Sequence, residues 1–159
     1  MEHIKLKNDM TFAYHETKLE VVHIGLYIKV GTSDEAGYPA GIAHFIEHMV
    51  FKGTEQFPFQ ALSDKIDAIG GEVNAYTTKT YTCYSIKTLK RFERVAIELL
   101  KEMVFCATFP NDELEKERQV ILEEIKMIED DDEERAFEQF ESVLLEDTAF
   151  NTPILGTAD

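Results

Sequence analysis

Three residues in one short stretch have the types and spacing to do chemistry together. His44, Glu47 and His48 lie in the order His-x-x-Glu-His within GIAHFIEHMVFKGT, residues 41–54. On a helix, positions four apart share a face, so His44 and His48 point the same way. Two neutral imidazoles on one face are the usual way a helix offers two ligands to zinc. Glu47 sits between them and can reach a water held by such a metal, which is what a general base needs in metal-assisted hydrolysis. The order is the inverse of the more common zinc-protease helix. The competing reading is an amphipathic helix that happens to carry two histidines on one face. Ile42, Phe45, Ile46, Met49, Val50 and Phe51 make the stretch apolar almost all round, which predicts a deeply buried helix. Buried imidazoles and a carboxylate need partners, and a metal would satisfy all three.

A second spacing points to the same chemistry. The pattern predicts a helix from about Asp112 to Ile128, with Leu114, Ile121, Ile125 and Ile128 as its apolar stripe. Glu117 and Glu124 are seven apart and share a face at the flank of that stripe, whereas Glu115, Glu123 and Lys126 point outward. A carboxylate at a core flank needs a cation, a metal or strong donors. Glu124 is therefore a candidate third zinc ligand, leaving the fourth place to water. A salt bridge to a Lys or Arg of another element would satisfy it equally.

The elements that must position these residues follow from periodicity and breakers. Thr11–His15 and Val21–Val30 read as strands, with Glu16-Thr17-Lys18 as the turn between them. His15 and His23 are ordinary strand residues there. Gly31 to Gly41 is a loop, and the histidine helix is expected to stop at Gly53. A second helix runs from Phe57-Pro58-Phe59 to about Ile69, and a hairpin pairs Val73–Thr77 with Tyr81–Ile86. Arg91 to Cys106 is helical, with Val95, Leu99 and Met103 on one stripe, and Asn111 is the expected N-cap of the next helix. The acidic run Glu129–Glu134 reads as a solvated helix end or loop, and Glu138–Leu145 as a further helix. Residues 151–159 read as an extended tail.

The bulk numbers narrow the function. At 159 residues the chain is long enough for one domain with a core. A net charge of −15 argues against nucleic-acid binding, suits cationic partners or substrates, and serves solubility equally well. Cys83 and Cys106 form neither a disulfide framework nor a metal pattern and read as small apolar fillers in a reducing compartment. No segment is apolar enough to span a membrane, and the N-terminus has neither a signal core nor transit-peptide character. A cytoplasmic location without membrane association is the expectation.

Taken together, His44-Phe45-Ile46-Glu47-His48 with Met49-Val50-Phe51-Lys52-Gly53-Thr54, then Gly71-Glu72-Val73-Asn74-Ala75-Tyr76-Thr77, then Glu117 to Ile125, resemble the pitrilysin and mitochondrial processing peptidase family. These are zinc metalloendopeptidases, the inverted zincins, and the likeness is greatest to the bacterial processing-protease branch. The resemblance implies one Zn²⁺ per chain, held by His44, His48 and Glu124. It implies Glu47 as general base and Glu117 as an acidic residue supporting the site. It also implies that Asn74, Ala75 and Tyr76 form an edge strand to which an extended peptide adds.

The implied fold is α+β, an antiparallel sheet covered on one face by helices. The implied activity is hydrolysis of extended peptides or presequence-like segments. The alternatives are a non-catalytic homologue that serves as a binding or assembly subunit, and a purely structural domain with a buried His/Glu network. Family subunits resemble two similar halves around a chamber. Residues 1–159 are thus expected to be one module, the N-terminal part of a longer subunit, weakly active or inactive alone. A C-terminal half or a second subunit would close the chamber, and a homodimer is compatible with this.

Overall fold

The computed structural model describes residues 2–158. A small hairpin comes first, β1 (Glu2–Lys5) against β2 (Thr11–Tyr14), followed by β3 (Val21–Ile28). Next come α1 (Ile42–Val50), α2 (Phe59–Ala68), β4 (Glu72–Thr77) and β5 (Thr82–Leu89). The chain continues through α3 (Glu93–Phe105), α4 (Asn111–Asp130) and α5 (Asp132–Leu144). The class is α+β, as the sequence predicts.

Strand alternation decides which face of the central sheet is covered. The sheet is antiparallel in the order β3-β5-β4, with β5 in the middle. Ile24, Leu26 and Ile28 of β3, Tyr84 and Ile86 of β5, and Val73 and Ala75 of β4 all fall on one side. That side packs on a core of Val50, Leu62, Ile69, Ala96, Leu99, Leu100 and Met103 from the first three helices. Each Val, Leu, Ile or Met among them contributes about 1.5–3 kcal/mol by leaving water. The other side carries His23, Tyr27, Lys87, Glu72 and Tyr76, where Tyr27 and Tyr76 flank Cys83 on the middle strand. His15 and His23 are exposed and remote from His44 and His48.

Several element ends differ from the sequence expectation, each for a local reason. The α1 helix ends at Val50 with Phe51 as its cap, three residues before Gly53. The first turn of α4 includes Asn111, and Pro110 takes the cap position, because proline has no N–H to lose there. In α3, Ala96 and Leu100 join Leu99 and Met103 in the core while Val95 faces out, so the buried stripe is rotated from the expected one. The acidic run opens α5: the Asp131 carboxylate accepts from the N–H groups of Glu133 and Glu134, and the acids sit at the positive end of the helix. The final residues fold back on α1. Gly156 lies so close to Gly41 that a Cβ on Gly41 would fall 2.5 Å from the Leu155 carbonyl oxygen. Gly41 also has φ +83°, a conformation glycine adopts without strain. No described helix is long and apolar enough to cross a membrane.

Candidate metal centre

The α1 helix lies between α4 on one side and the edge strand β4 on the other. Its first turn has no capping side chain of its own, since the cap position is Gly41. Glu35, buried in the preceding loop, does that work: its carboxylate accepts from the N–H of Gly41 at 2.8 Å and of Ala43 at 2.9 Å. A negative charge at this end also suits the helix dipole. The histidines are thus presented by a short helix pinned at its start.

Toward α4, the stripe of His44 and His48 meets Glu124 and Glu117. One ligand atom each from His44, His48 and Glu124 lies within 4.8 Å of the others. Glu124 Oε2 is 3.9 Å from His44 Nε2 and 3.6 Å from His48 Nε2. These separations are too long for hydrogen bonds. Burial, and then the neighbouring His48, push the His44 imidazole down to about 4, so this ring is neutral at neutral pH. Glu117 Oε2 is 3.2 Å from His48 Nδ1. A carboxylate only accepts, so that nitrogen carries a proton, and in the neutral ring it is Nε2 that offers a lone pair. Lys52 pairs with the other oxygen of Glu117.

The donor set therefore fits a small divalent cation. Two imidazole nitrogens and a carboxylate oxygen converge without a hydrogen bond between them, an arrangement that a positive charge among them would stabilise. A tetrahedral zinc site with bonds of about 2.1 Å has ligand–ligand edges of roughly 3.4 Å, near the 3.6 and 3.9 Å that separate Glu124 Oε2 from the two imidazoles. Two nitrogens and one oxygen are also a donor set zinc accepts, with one place left for water.

Toward β4, Glu47 turns away from the histidine stripe. Thr77, the last residue of β4, donates its hydroxyl to Glu47 Oε2 at 2.6 Å. Burial pushes the Glu47 carboxyl up, and the Thr77 hydrogen bond opposes this by stabilising the charge. A cavity of about 330 Å³ opens here, lined by Glu47, His48, Glu117 and Lys52 together with Asn74 and Ala75 of β4. β4 is the sheet's edge, so one side of its backbone is unpaired. The Ala75 N–H is taken up by the neighbouring Asn74 side chain at 3.0 Å instead of a strand partner. Tyr76 lies on the open face of the sheet, packed edge-on against Tyr81.

The structure thus brings His44, Glu47, His48, Glu117 and Glu124 together and sets Asn74 and Ala75 beside them. Three further residues carry no role in the sequence reading: Glu35, Thr77 and Lys52. Lys52 had a usable signal, for it continues the His44, His48 spacing of four. The other two depend on contacts between distant segments.

An α+β module with an inverted His-x-x-Glu-His helix facing a carboxylate helix is the architecture of a metallopeptidase domain. Residues 11–158 match the model of the insulinase family, peptidase family M16, and the chain belongs to that family. It is 40% identical over 138 residues to the uncharacterized zinc protease YmxG of Bacillus subtilis, covering 87% of this chain and 34% of that protein. It is 36% identical over 145 residues to the uncharacterized zinc protease ML0855 of Mycobacterium leprae, covering 91% of this chain and 33% of that protein. The chain spans about a third of the length of these curated relatives. A protease from Helicobacter pylori superposes with a TM-score of 0.92 at 27% identity, over 99% of this chain and 38% of that one. A peptidase M16 inactive domain from Pseudomonas fluorescens superposes with a TM-score of 0.88 over 98% of this chain and 38% of that one; at 18% identity it shares the fold.

Proposed function

We propose that this chain is the metal-bearing module of a zinc endopeptidase that cleaves extended peptides. The observation that carries the reading is the convergence of His44 Nε2, His48 Nε2 and Glu124 Oε2 beside the buried Glu47 carboxylate. The relatives from Bacillus subtilis and Mycobacterium leprae, both named as uncharacterized zinc proteases, support it. A family member can lose its chemistry while keeping its fold, but such a subunit has no need of ligands and base together, and both are present here.

In this reading His44, His48 and Glu124 hold one zinc ion. Bound there, zinc would polarise the scissile carbonyl and make its water easier to deprotonate. Glu47 would take a proton from the attacking water as its oxygen bonds to the scissile carbonyl carbon, and would give it to the amine as the C–N bond breaks. Thr77 holds Glu47 by one oxygen and leaves the other for the water. Glu117 fixes the ring of His48 and so the direction of its Nε2 lone pair. The substrate backbone lies along the free edge of β4, where Asn74, Ala75 and Tyr76 give it a strand to pair with. Residues 1–159 act as the first module of a longer subunit, whose remainder or a second subunit encloses the substrate.

The test is cleavage of an unstructured, fluorescence-quenched peptide by the purified protein before and after chelation. Activity should disappear with the chelator and return with about one equivalent of zinc per chain. Cleavage that is indifferent to chelation, or a zinc-loaded full-length subunit carrying this module that cleaves no peptide, would overturn the proposal.

A further inference from the structure

We infer that Lys52 is a positioning residue for the metal centre, acting on His48 through Glu117; this rests on the zinc-peptidase reading above. Lys52 lies beyond the end of α1, yet the chain makes one more turn there. Phe51 N–H donates to the His48 carbonyl at 3.3 Å, and Lys52 N–H to the Met49 carbonyl at 3.0 Å. Lys52 therefore stays on the face that carries His44 and His48, four residues further on. The α4 helix crosses this stripe in the opposite direction. His44 meets Glu124, His48 meets both Glu124 and Glu117, and Lys52 meets Glu117. Three positions of one helix thus interlock with two of the other.

Glu117 is the link. Its side chain is 8% exposed, and among the described residues its partners are His48 Nδ1 on one oxygen and Lys52 Nζ on the other. A buried carboxylate is tolerable only when its charge is compensated. The Lys52 ammonium compensates it, held in place by its 5.6 Å approach to the Phe59 ring. Without that ammonium, Glu117 keeps a single donor, and turning toward water becomes its cheapest course. His48 then loses the acceptor that keeps its proton on Nδ1, and its ring is free to rotate or change tautomer. Either change takes Nε2 away from the metal. Lys52 also lines the cavity beside Asn74 and Ala75, so a direct substrate contact is the rival role. The two roles differ in what they do to metal affinity.

The experiment is zinc affinity by competition with a chromophoric chelator in the purified protein, with thermal melts of the zinc-free forms alongside. Lys52→Met and Glu117→Gln should each weaken zinc roughly ten- to a hundredfold. Lys52→Arg, which restores the charge, should stay within a few-fold of wild type. The Lys52→Met/Glu117→Gln double variant should bind no more weakly than Glu117→Gln alone, because Lys52 acts only through that carboxylate. Lys52→Gln, which keeps a donor but no charge, is the second variant if Lys52→Met melts early, and the same loss is expected of it. Wild-type affinity in both Lys52→Met and Lys52→Gln, or losses that add in the double variant, overturns the inference. Unchanged zinc affinity with a raised KM for peptide assigns Lys52 to the substrate and overturns it as well. A wild-type protein that takes up no zinc is a different result: it removes the zinc-peptidase reading and this inference with it.

Discussion

The two walls that face α1 are built differently. The α4 wall is helix against helix, and its contacts are charges and lone pairs: Glu124 toward both histidines, and Glu117 between His48 and Lys52. The β4 wall is helix against a strand edge, and its contacts are one hydroxyl, from Thr77 to Glu47, and an unpaired stretch of backbone. The first wall has what is needed to bind and orient a cation. The second has what is needed to hold a base and receive a peptide. A single helix serves both because His44 and His48 share one face while Glu47, one residue before His48, lies about 100° round from it. The lesson is that, in the proposed mechanism, metal binding and proton transfer are separable even though their residues are adjacent in sequence.

Substitutions at five positions test that separation, beginning with the largest effect. His44→Ala or His48→Ala removes a ligand on the α4 side. Zinc affinity should fall by more than the roughly hundredfold typical of a supporting residue, and peptide cleavage should go with it. Retained stoichiometric zinc in either variant would break the comparison, because the wall would then bind without its stripe. Glu47→Gln changes only the β4 side. Zinc content should equal that of wild type while kcat drops on the order of 10²–10⁴-fold. Loss of zinc here would mean that the walls are not independent.

Thr77→Val sharpens the same contrast with a smaller change. It removes the 2.6 Å hydrogen bond that fixes Glu47 and keeps the shape of the side chain. A hydrogen bond to a charged group is worth about 1.5–3 kcal/mol, so kcat should fall roughly ten- to a hundredfold with zinc affinity unchanged. Thr77→Ser should recover most of it, and equal rates in Thr77→Val and wild type would remove Thr77 from the account. Glu35→Gln gives the smallest effect and touches neither wall. It weakens the cap on α1, so stability in urea should drop by about 1 kcal/mol while zinc affinity and kcat stay within a few-fold of wild type. A selective loss of either property would show that Glu35 serves one wall in particular.

Much of this arrangement was legible in the chain, and the physical reason is periodicity. A spacing of four on one helix and of seven on another brings His44, His48, Glu117 and Glu124 to facing stripes, while which side of the sheet is covered emerged only from the strand register. What periodicity left open was whether Glu124 faced a metal or a basic side chain, since helical angle reports a direction and not a partner. In the structure Glu124 faces the imidazoles, and the basic partner, Lys52, belongs to Glu117. Thr77 and Glu35 were out of reach for a related reason. A threonine at a strand end and a glutamate in a loop have no repeat to betray them, and their partners lie 30 and six to eight residues away. The rotated stripe of α3 shows the same limit: Val95, Leu99 and Met103 satisfy the period, but packing under the sheet chose Ala96 and Leu100 instead of Val95.

The central claim is that Glu124 completes a three-ligand zinc site with His44 and His48. The direct measurement is zinc stoichiometry and affinity of the purified protein beside its Glu124→Gln variant, after stripping and reloading both. The account predicts about one zinc per wild-type chain and little or none retained by the variant under the same chelator challenge. Equal zinc in both, with equal resistance to the chelator, would contradict it, because the α4 carboxylate would then be a neighbour of the metal site and not part of it.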